Sequence, residues 1–528
     1  MRCRMKKGLQ IGLALLLAGA GTNVTAQNLY ELRQNSVSNV QLQLTNYGIY
    51  GLNTASNTGG GFWPRGSQNQ YIFGGGIWFG ALKTVDGTEQ KLTFVTYNPN
   101  SGNSWAVPGR IDDGLSVDTL SPAKYALQSS VDYNLDGSPK QATARRWSMW
   151  NKGSALRVNG NYGVYESIES ERSSVVYSKG PAFVSDEDMI AVFKDTDRSR
   201  YELGRTGQER FGFPLGIQFE QAMYSWNSPL LKDVIVMRYT MINTSQDVLK
   251  DCYFAPALDA DLAKAGNVHQ GAMNDRTKYL LERPDLQTAI QWTEETAGEN
   301  DFGVLAVSLI ETPATDANHN LRKDKKSYNF NEQLGLHTFR NWTIDIDPIS
   351  TEQRYEFMSS GLKDGDNGPG DKRFLSSTGP FTMQPGDTAH VAIALSFSKR
   401  VIGKSSLKGD QITAQDDYTE LITKIEAART ELYPELVSSV EQQKIFKERT
   451  AFISIRNNEA TLHFNDSSFK NIRAELFNAL GERMIVIHNG EVASGEISFT
   501  TRELPAGMYY CVITTDNERF TLPITIVR

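Results

Sequence analysis

The chain has 528 residues, a formal net charge of −7 and 39% hydrophobic residues, enough to build sizeable cores of its own. The acidic balance excludes nucleic acid as a partner, because phosphate recognition needs basic stripes. Three cysteines in so long a chain exclude a disulfide scaffold, so stability has to come from buried apolar surface.

At the N-terminus Arg2, Arg4, Lys6 and Lys7 precede an apolar run from Leu9 to Ala20, the order of a secretory signal peptide. Val24-Thr25-Ala26 supplies small residues at the cleavage spacing, so the cut is expected between Ala26 and Gln27. The run is short for an anchor across about 30 Å of hydrocarbon, and no later segment has the roughly 18 apolar residues of a membrane span. The Sec translocon is therefore an expected partner, and no membrane span is expected in the mature chain. Cys252 and Cys511 remain after cleavage; they fall in different expected modules and read as buried free thiols.

From Asn28 to Arg400 short apolar or alternating runs are separated by Gly, Asn, Asp and Pro, the pattern of β-sandwich material. Val40–Tyr47, Gln70–Ala81, Ile217–Trp226, Val234–Asn243 and Ala389–Phe397 are the clearest strands. Asp86-Gly87, Asp136-Gly137, Asp364-Gly365 and Pro385-Gly386-Asp387 supply hairpin turns. The glycine triplets at 59–61 and 74–76 lack the spacing, the Lys-Ser/Thr and the helix of a phosphate loop, and read as bends or close strand approaches. The fold class is all-β, with two antiparallel sandwich domains over residues 27–175 and 176–405, since so long a stretch exceeds what one sandwich core usually organises. Charged segments between Gly303 and Arg373 are expected as surface loops. Between Thr413 and Tyr433 apolar residues recur at three- and four-residue spacing behind Thr413-x-x-Asp416, which predicts a capped amphipathic helix. With a second short helix after Pro434 it makes residues 406–449 a spacer ahead of a last β module, residues 450–528.

That last module carries two motifs: the turn Ala479-Leu480-Gly481-Glu482-Arg483, and Leu504-Pro505-Ala506-Gly507-Met508-Tyr509 ahead of an alternating strand. Pro505 pre-sets φ and Gly507 permits a positive φ, so a tight turn is expected there. Residues 450–528 resemble the C-terminal sorting domains of cargo exported by the type IX secretion system of Gram-negative bacteria, on Gly481, Leu504, Pro505, Ala506, Gly507 and Tyr509. The resemblance implies an Ig-like sandwich, the type IX machinery as a partner and a cell-surface or extracellular address. It implies no reaction for the body.

Oxygen-rich sets in the body suggest calcium, which favours hard, closely spaced oxygens. Asp132, Asn134 and Asp136 alternate ahead of a glycine, but Thr143 stands where an EF-hand loop needs a carboxylate. Asp259 and Asp261, with Asn274 and Asp275 further on, form a second set, and Asp316, Asn318 and Asn320 a third; solvated turns are the competing reading for all three. The six histidines form no HExxH pair, and no G-x-S-x-G elbow occurs. Trp78 and Trp226 sit in strands and read as core, whereas Trp63, Trp105 and Trp342 lie among small polar residues, where exposed rings could bind a cell-surface polysaccharide. The reading is a secreted, surface-associated protein with a structural or ligand-binding role, no required cofactor, and calcium as an optional stiffener. An extracellular hydrolase of polysaccharide or protein, and a self-assembling adhesin or matrix component, stay open as alternatives.

Overall fold

The computed structural model describes residues 30–99, 102, 104–110, 126–132, 140, 155–158, 161–164, 184–197, 212–266, 272–294, 302–324, 328–406, 412–433, 451–456, 459–464, 471–478, 482–491, 496–515 and 519–526. The expected signal peptide with Ala26 and Gln27, the residues Asn134, Asp136 and Gly481, and the expected helix after Pro434 lie outside them.

The long strands of the body are, in chain order, β1 (Gly74–Val85), β2 (Thr88–Val95), β3 (Glu187–Lys194), β4 (Ile217–Ser225), β5 (Val234–Asn243), β6 (Leu249–Asp259), β7 (Asp275–Tyr279), β8 (Thr288–Thr293), β9 (Val304–Glu311), β10 (Thr338–Thr343), β11 (Lys372–Met383) and β12 (Thr388–Ser398). Two helices accompany them, α1 (Thr351–Ser359) and α2 (Thr419–Leu432). The chain is all-β, and all pairings between its strands are antiparallel among the described residues. One sheet has five strands in the order β10-β11-β6-β1-β2; another has nine, with β3-β4-β5-β12-β9-β8-β7 as its long part and two short strands on β3. The sheets face each other through aromatic rings. Phe94 of β2 stacks on Phe219 of β4 with centroids 5.3 Å apart, and Tyr239 of β5 lies 5.3 Å from Phe254 of β6.

Residues 27–175 and 176–405, expected as two sandwiches, contribute to the same sheets and to one core. β1 pairs with β6, Gln128–Ser129 pairs with β3, and the cluster running from Val40 to Phe397 includes Trp78, Phe193, Phe254 and Ile393. The sequence pattern marked strands without showing which pair at a distance of well over a hundred residues. β3 is buried at every position and shows no alternation, and the middle strands β5, β12 and β9 of the nine-stranded sheet are covered on their outer face.

That cover is α2. Leu421 and Ile425 pack on Trp292, Val304 and Ala306, while Ala428 and Leu432 pack on Val236, Ala392 and Ala394. The helix expected as a spacer is thus part of the body. It is also shorter than expected: residues Ile412–Asp417 pair as a strand with Val401–Ser406, and Asp417 accepts from the Thr419 amide (2.9 Å) and hydroxyl (2.7 Å) at the helix start. Strand pairing therefore takes the residues of the expected Thr413 capping box. On the five-stranded sheet α1 plays the corresponding part, inside the segment read as surface loops, with a capping box between Ser350 and Gln353. Tyr355 and Met358 pack where Gly80 leaves no Cβ, at 2.9 and 2.7 Å from its ideal position.

The last module comprises β13 (Ala451–Arg456), β14 (Glu459–Phe464), β15 (Asn471–Asn478), β16 (Arg483–Glu491), β17 (Glu496–Thr500), β18 (Gly507–Thr515) and β19 (Arg519–Ile526). They form a three-stranded sheet β13-β14-β17 and a four-stranded sheet β16-β15-β18-β19. Ile472, Ala474 and Leu476, Tyr509, Cys511 and Ile513, and Leu522, Ile524 and Ile526 alternate into a core that is distinct from the body's.

Candidate metal centre and terminal signature

β6 ends at Asp259, whose backbone is fixed by pairing with Gly74 of β1 and Arg373 of β11. Two residues later the chain has turned enough that Asp261 lies on the same side, and Asp371, the residue before β11, completes a trio. One carboxylate oxygen from each of Asp259, Asp261 and Asp371 lies within 4.8 Å of the other two. Asp259 is 4% and Asp261 6% exposed, while Asp371 is half-buried.

Asp371 reaches this place because its loop is tied down along its length. Asp364 accepts from Arg340 at 3.0 Å, Asp366 from Arg276 at 2.7 Å, and the Gly370 amide donates to the Asp275 carbonyl at 3.0 Å. Asp275, first residue of β7 and fully buried, accepts from the Leu262 amide (2.8 Å) and Gln291 Nε2 (3.1 Å) through one oxygen. Its other oxygen, Oδ1, has no hydrogen-bond partner, and the same holds for Oδ1 of Asp261 and of Asp371.

Arg373 is the cation in contact with the trio. Its Nε lies 3.2 Å from Asp259 Oδ1 and its Nη1 2.5 Å from Asp347, which also accepts from Trp342 Nε1 at 2.5 Å. Tyr97 donates to Asp259 at 3.1 Å. Burial, opposed by Arg373, pushes the Asp259 carboxyl up to about 6. Burial and the neighbouring Asp259 hold Asp261 well above the carboxylate range, and burial does the same to Asp275 despite its hydrogen bonds. Desolvated like charges resist ionising together, and Arg373 offsets only part of the charge of three carboxylates. The donors are all oxygen, the choice of a hard cation.

Of the calcium candidates read from the sequence, Asp259 and Asp261 come together and Asp275 stands beside them, on the facing sheet. Asp371 was missed because it lies over a hundred residues away in a segment whose charges suggested a solvated loop. Asp132 is instead held by Arg33 through two bonds of 2.5 and 2.7 Å. Asp316 accepts from the Asn318 and Asn320 amides at 2.8 and 2.9 Å on an exposed loop, a turn satisfied by its own backbone. Trp63, Trp105 and Trp342 are 5%, 0% and 1% exposed and offer no ring to a sugar. Trp63 donates to Asp233 at 2.8 Å and Trp105 lies under Arg354 at 5.0 Å, contacts no short sequence window displays. Cys252 and Cys511 are buried and free.

In the last module Leu504 and Tyr509 are buried, and Pro505, Ala506 and Gly507 are exposed. The turn closes on itself, the Leu504 amide donating to Thr501 O (3.1 Å) and the Tyr509 hydroxyl to Pro505 O (2.8 Å). Gly507 opens β18 without the positive φ expected of it, and an added Cβ would meet nothing nearer than a Tyr509 ring carbon at 4.0 Å.

No family model matches the chain. No curated protein matches it either. Among solved structures it is similar to a DUF3244-family protein with an immunoglobulin-like β-sandwich fold from Bacteroides vulgatus, at 19% identity over 15% of this chain and 85% of that one, with a TM-score of 0.14. A polysaccharide lyase aligns at 8% identity over 62% of this chain and 36% of its own, TM-score 0.18. The adhesin domain of Epf from Streptococcus pyogenes aligns at 10% identity over 65% and 92%, TM-score 0.12. At these scores none of them bears on what this chain does. No helix among the described residues is long and apolar enough to cross a membrane.

Proposed function

We propose that this chain is an exported cell-surface protein whose body is a rigid, non-catalytic sandwich and whose last module directs it to the exterior. The observation that carries the reading is the terminal module's own core, built only from residues 460–526, with the Leu504–Tyr509 signature folded onto that core and its Pro505-Ala506-Gly507 tip turned to solvent. A unit with a private core keeps its shape independently of what precedes it, as an address read by export machinery must. The charged-then-apolar start supports entry by the Sec route, and the motif residues support the type IX route for the second step.

Deleting residues 450–528 tests this. The truncated chain is expected to fold, to lose its signal segment, and to accumulate inside the cell envelope while the full chain reaches the surface. Equal amounts of the truncated chain outside would refute the role of the module.

A further inference from the structure

We propose that Asp259, Asp261 and Asp371 bind one Ca2+ that pins the turn after β6 to the approach of β11 at one end of the sandwich, where Asp275 of the facing sheet is hydrogen-bonded to the same two segments. Asp259 and Asp371 belong to the five-stranded sheet's β6 and to the approach of β11, whereas Asp275 opens β7 of the nine-stranded sheet. An ion held by the trio would fix the turn after β6 to the approach of β11, and the bond from the Gly370 amide to the Asp275 carbonyl (3.0 Å) carries that fixed point to β7 of the nine-stranded sheet. This does not depend on the export reading.

Three observations carry it. The first is spacing: ligands around one Ca2+ at about 2.4 Å can be no more than about 4.8 Å apart, and the three carboxylate oxygens meet that bound. The second is charge. Asp259, Asp261, Asp347 and Asp371 face Arg373, with Arg354 acting on Asp347, and Asp275 lies beside Asp261 and Asp371 with Lys372 further off, an excess of carboxylates that burial makes costly. The third is unsatisfied oxygen. Oδ1 of Asp261 and Oδ1 of Asp275 are buried with no hydrogen-bond partner. Each is an acceptor that no protein donor reaches, an uncompensated desolvation that a bound cation removes. Half-buried Asp371 supplies the entry path. Mg2+ fits less well, since it demands octahedral geometry at about 2.1 Å and gives up water reluctantly.

The test uses the full chain, freed of metal by chelation. Tb3+, a luminescent substitute for Ca2+, is expected to emit on tryptophan excitation, because Trp342 is linked to the site through Asp347 and Arg373. Excess Ca2+ should quench that emission and raise the melting temperature of the body by at least about 3 °C over the chelated protein. Asp261→Asn with Asp371→Asn should abolish both effects, and so should the half-buried Asp371→Asn alone if the double variant does not fold. Asp316→Asn, in the exposed turn, should leave them intact. Absence of terbium emission together with identical melting in Ca2+ and in chelator would overturn the proposal. An Asp371→Asn variant that binds as tightly as the parent would overturn the location, and an equal response to Mg2+ would overturn the assignment to Ca2+.

Discussion

Lys424 enters the body from α2 and is 5% exposed at its side chain, 2.9 Å from Asp233, 2.8 Å from the Phe397 carbonyl and 2.6 Å from Glu420. Asp233 also accepts from Asn39 at 2.7 Å and Trp63 at 2.8 Å. Burial alone would raise its pKa, but the hydrogen bonds from Trp63, Asn39 and Lys424 outweigh it and the carboxyl is lowered. This stabilising contribution is present above the unfolded carboxylate value and is lost as pH falls through the lower folded one. Lys424→Ala leaves the carboxylate facing apolar walls with two donors, and we expect about 3 kcal/mol of destabilisation in urea unfolding at neutral pH. A loss below about 1 kcal/mol would mean that water replaces the ammonium.

His390 on β12 acts in the opposite chemical sense. Burial first, then Arg238, pushes its pKa down from 6.5 to about 4, against the pull of Glu311. The native state keeps the ring neutral while the unfolded chain takes up a proton below pH 6.5, so stability should fall progressively between pH 6.5 and about 4. His390→Gln should flatten that part of the unfolding-versus-pH curve, with the parent losing up to about 3 kcal/mol across the window. A variant whose curve is as steep as the parent's would place the titration elsewhere.

Among the elements, β1 shows most plainly what a sequence reveals and what it hides. The glycine triplet at its start reads as a close approach, and the structure supplies the neighbours: a Cβ at Gly74, Gly75 or Gly76 would lie 2.6 Å from Tyr97, 2.6 Å from Tyr50 and 2.4 Å from Thr96. Gly76→Val should therefore cost about 2–3 kcal/mol in thermal or urea unfolding, whereas Gly66→Ala, with open space but a φ of +78°, should cost only about 1 kcal/mol. The hairpin after β1 was equally legible, since Asp86 and Gly87 both take positive φ, at 49° and 78°, as an Asp-Gly turn requires. The partner of β1 on its other edge was not. β6 enters some 160 residues later, and nothing in either segment encodes the choice. For the same reason Asp259 and Asp261 could be picked out by their alternation, but Asp371 could not be joined to them. α1 went unseen because its residues Thr351–Ser359 carry little apolar periodicity; its polar side chains are used inward, Arg354 lying 5.9 Å from Trp78 and 5.0 Å from Trp105.

At the scale of the whole molecule, the unit of construction is one large sandwich faced by a helix on each sheet, followed by a small sandwich with a core of its own. The pattern of short runs and turns indicated the all-β class, and its return after residue 450 marked the small module, because both are local properties. The merging of the two expected body domains was hidden, because shared sheets depend on long-range pairing. Separate cores predict separate behaviour: a chelator should move the melting transition of the body and leave that of the small module in place. The account rests most heavily on the small module acting as a portable address. The direct measurement is to place residues 450–528 behind a reporter that carries only a Sec signal peptide, in the organism that makes this chain, and to measure reporter activity on intact cells and in the medium. The account predicts transfer of the reporter to the exterior, dependent on the type IX machinery. Retention of the fusion inside the envelope, at the level of the reporter alone, would contradict it.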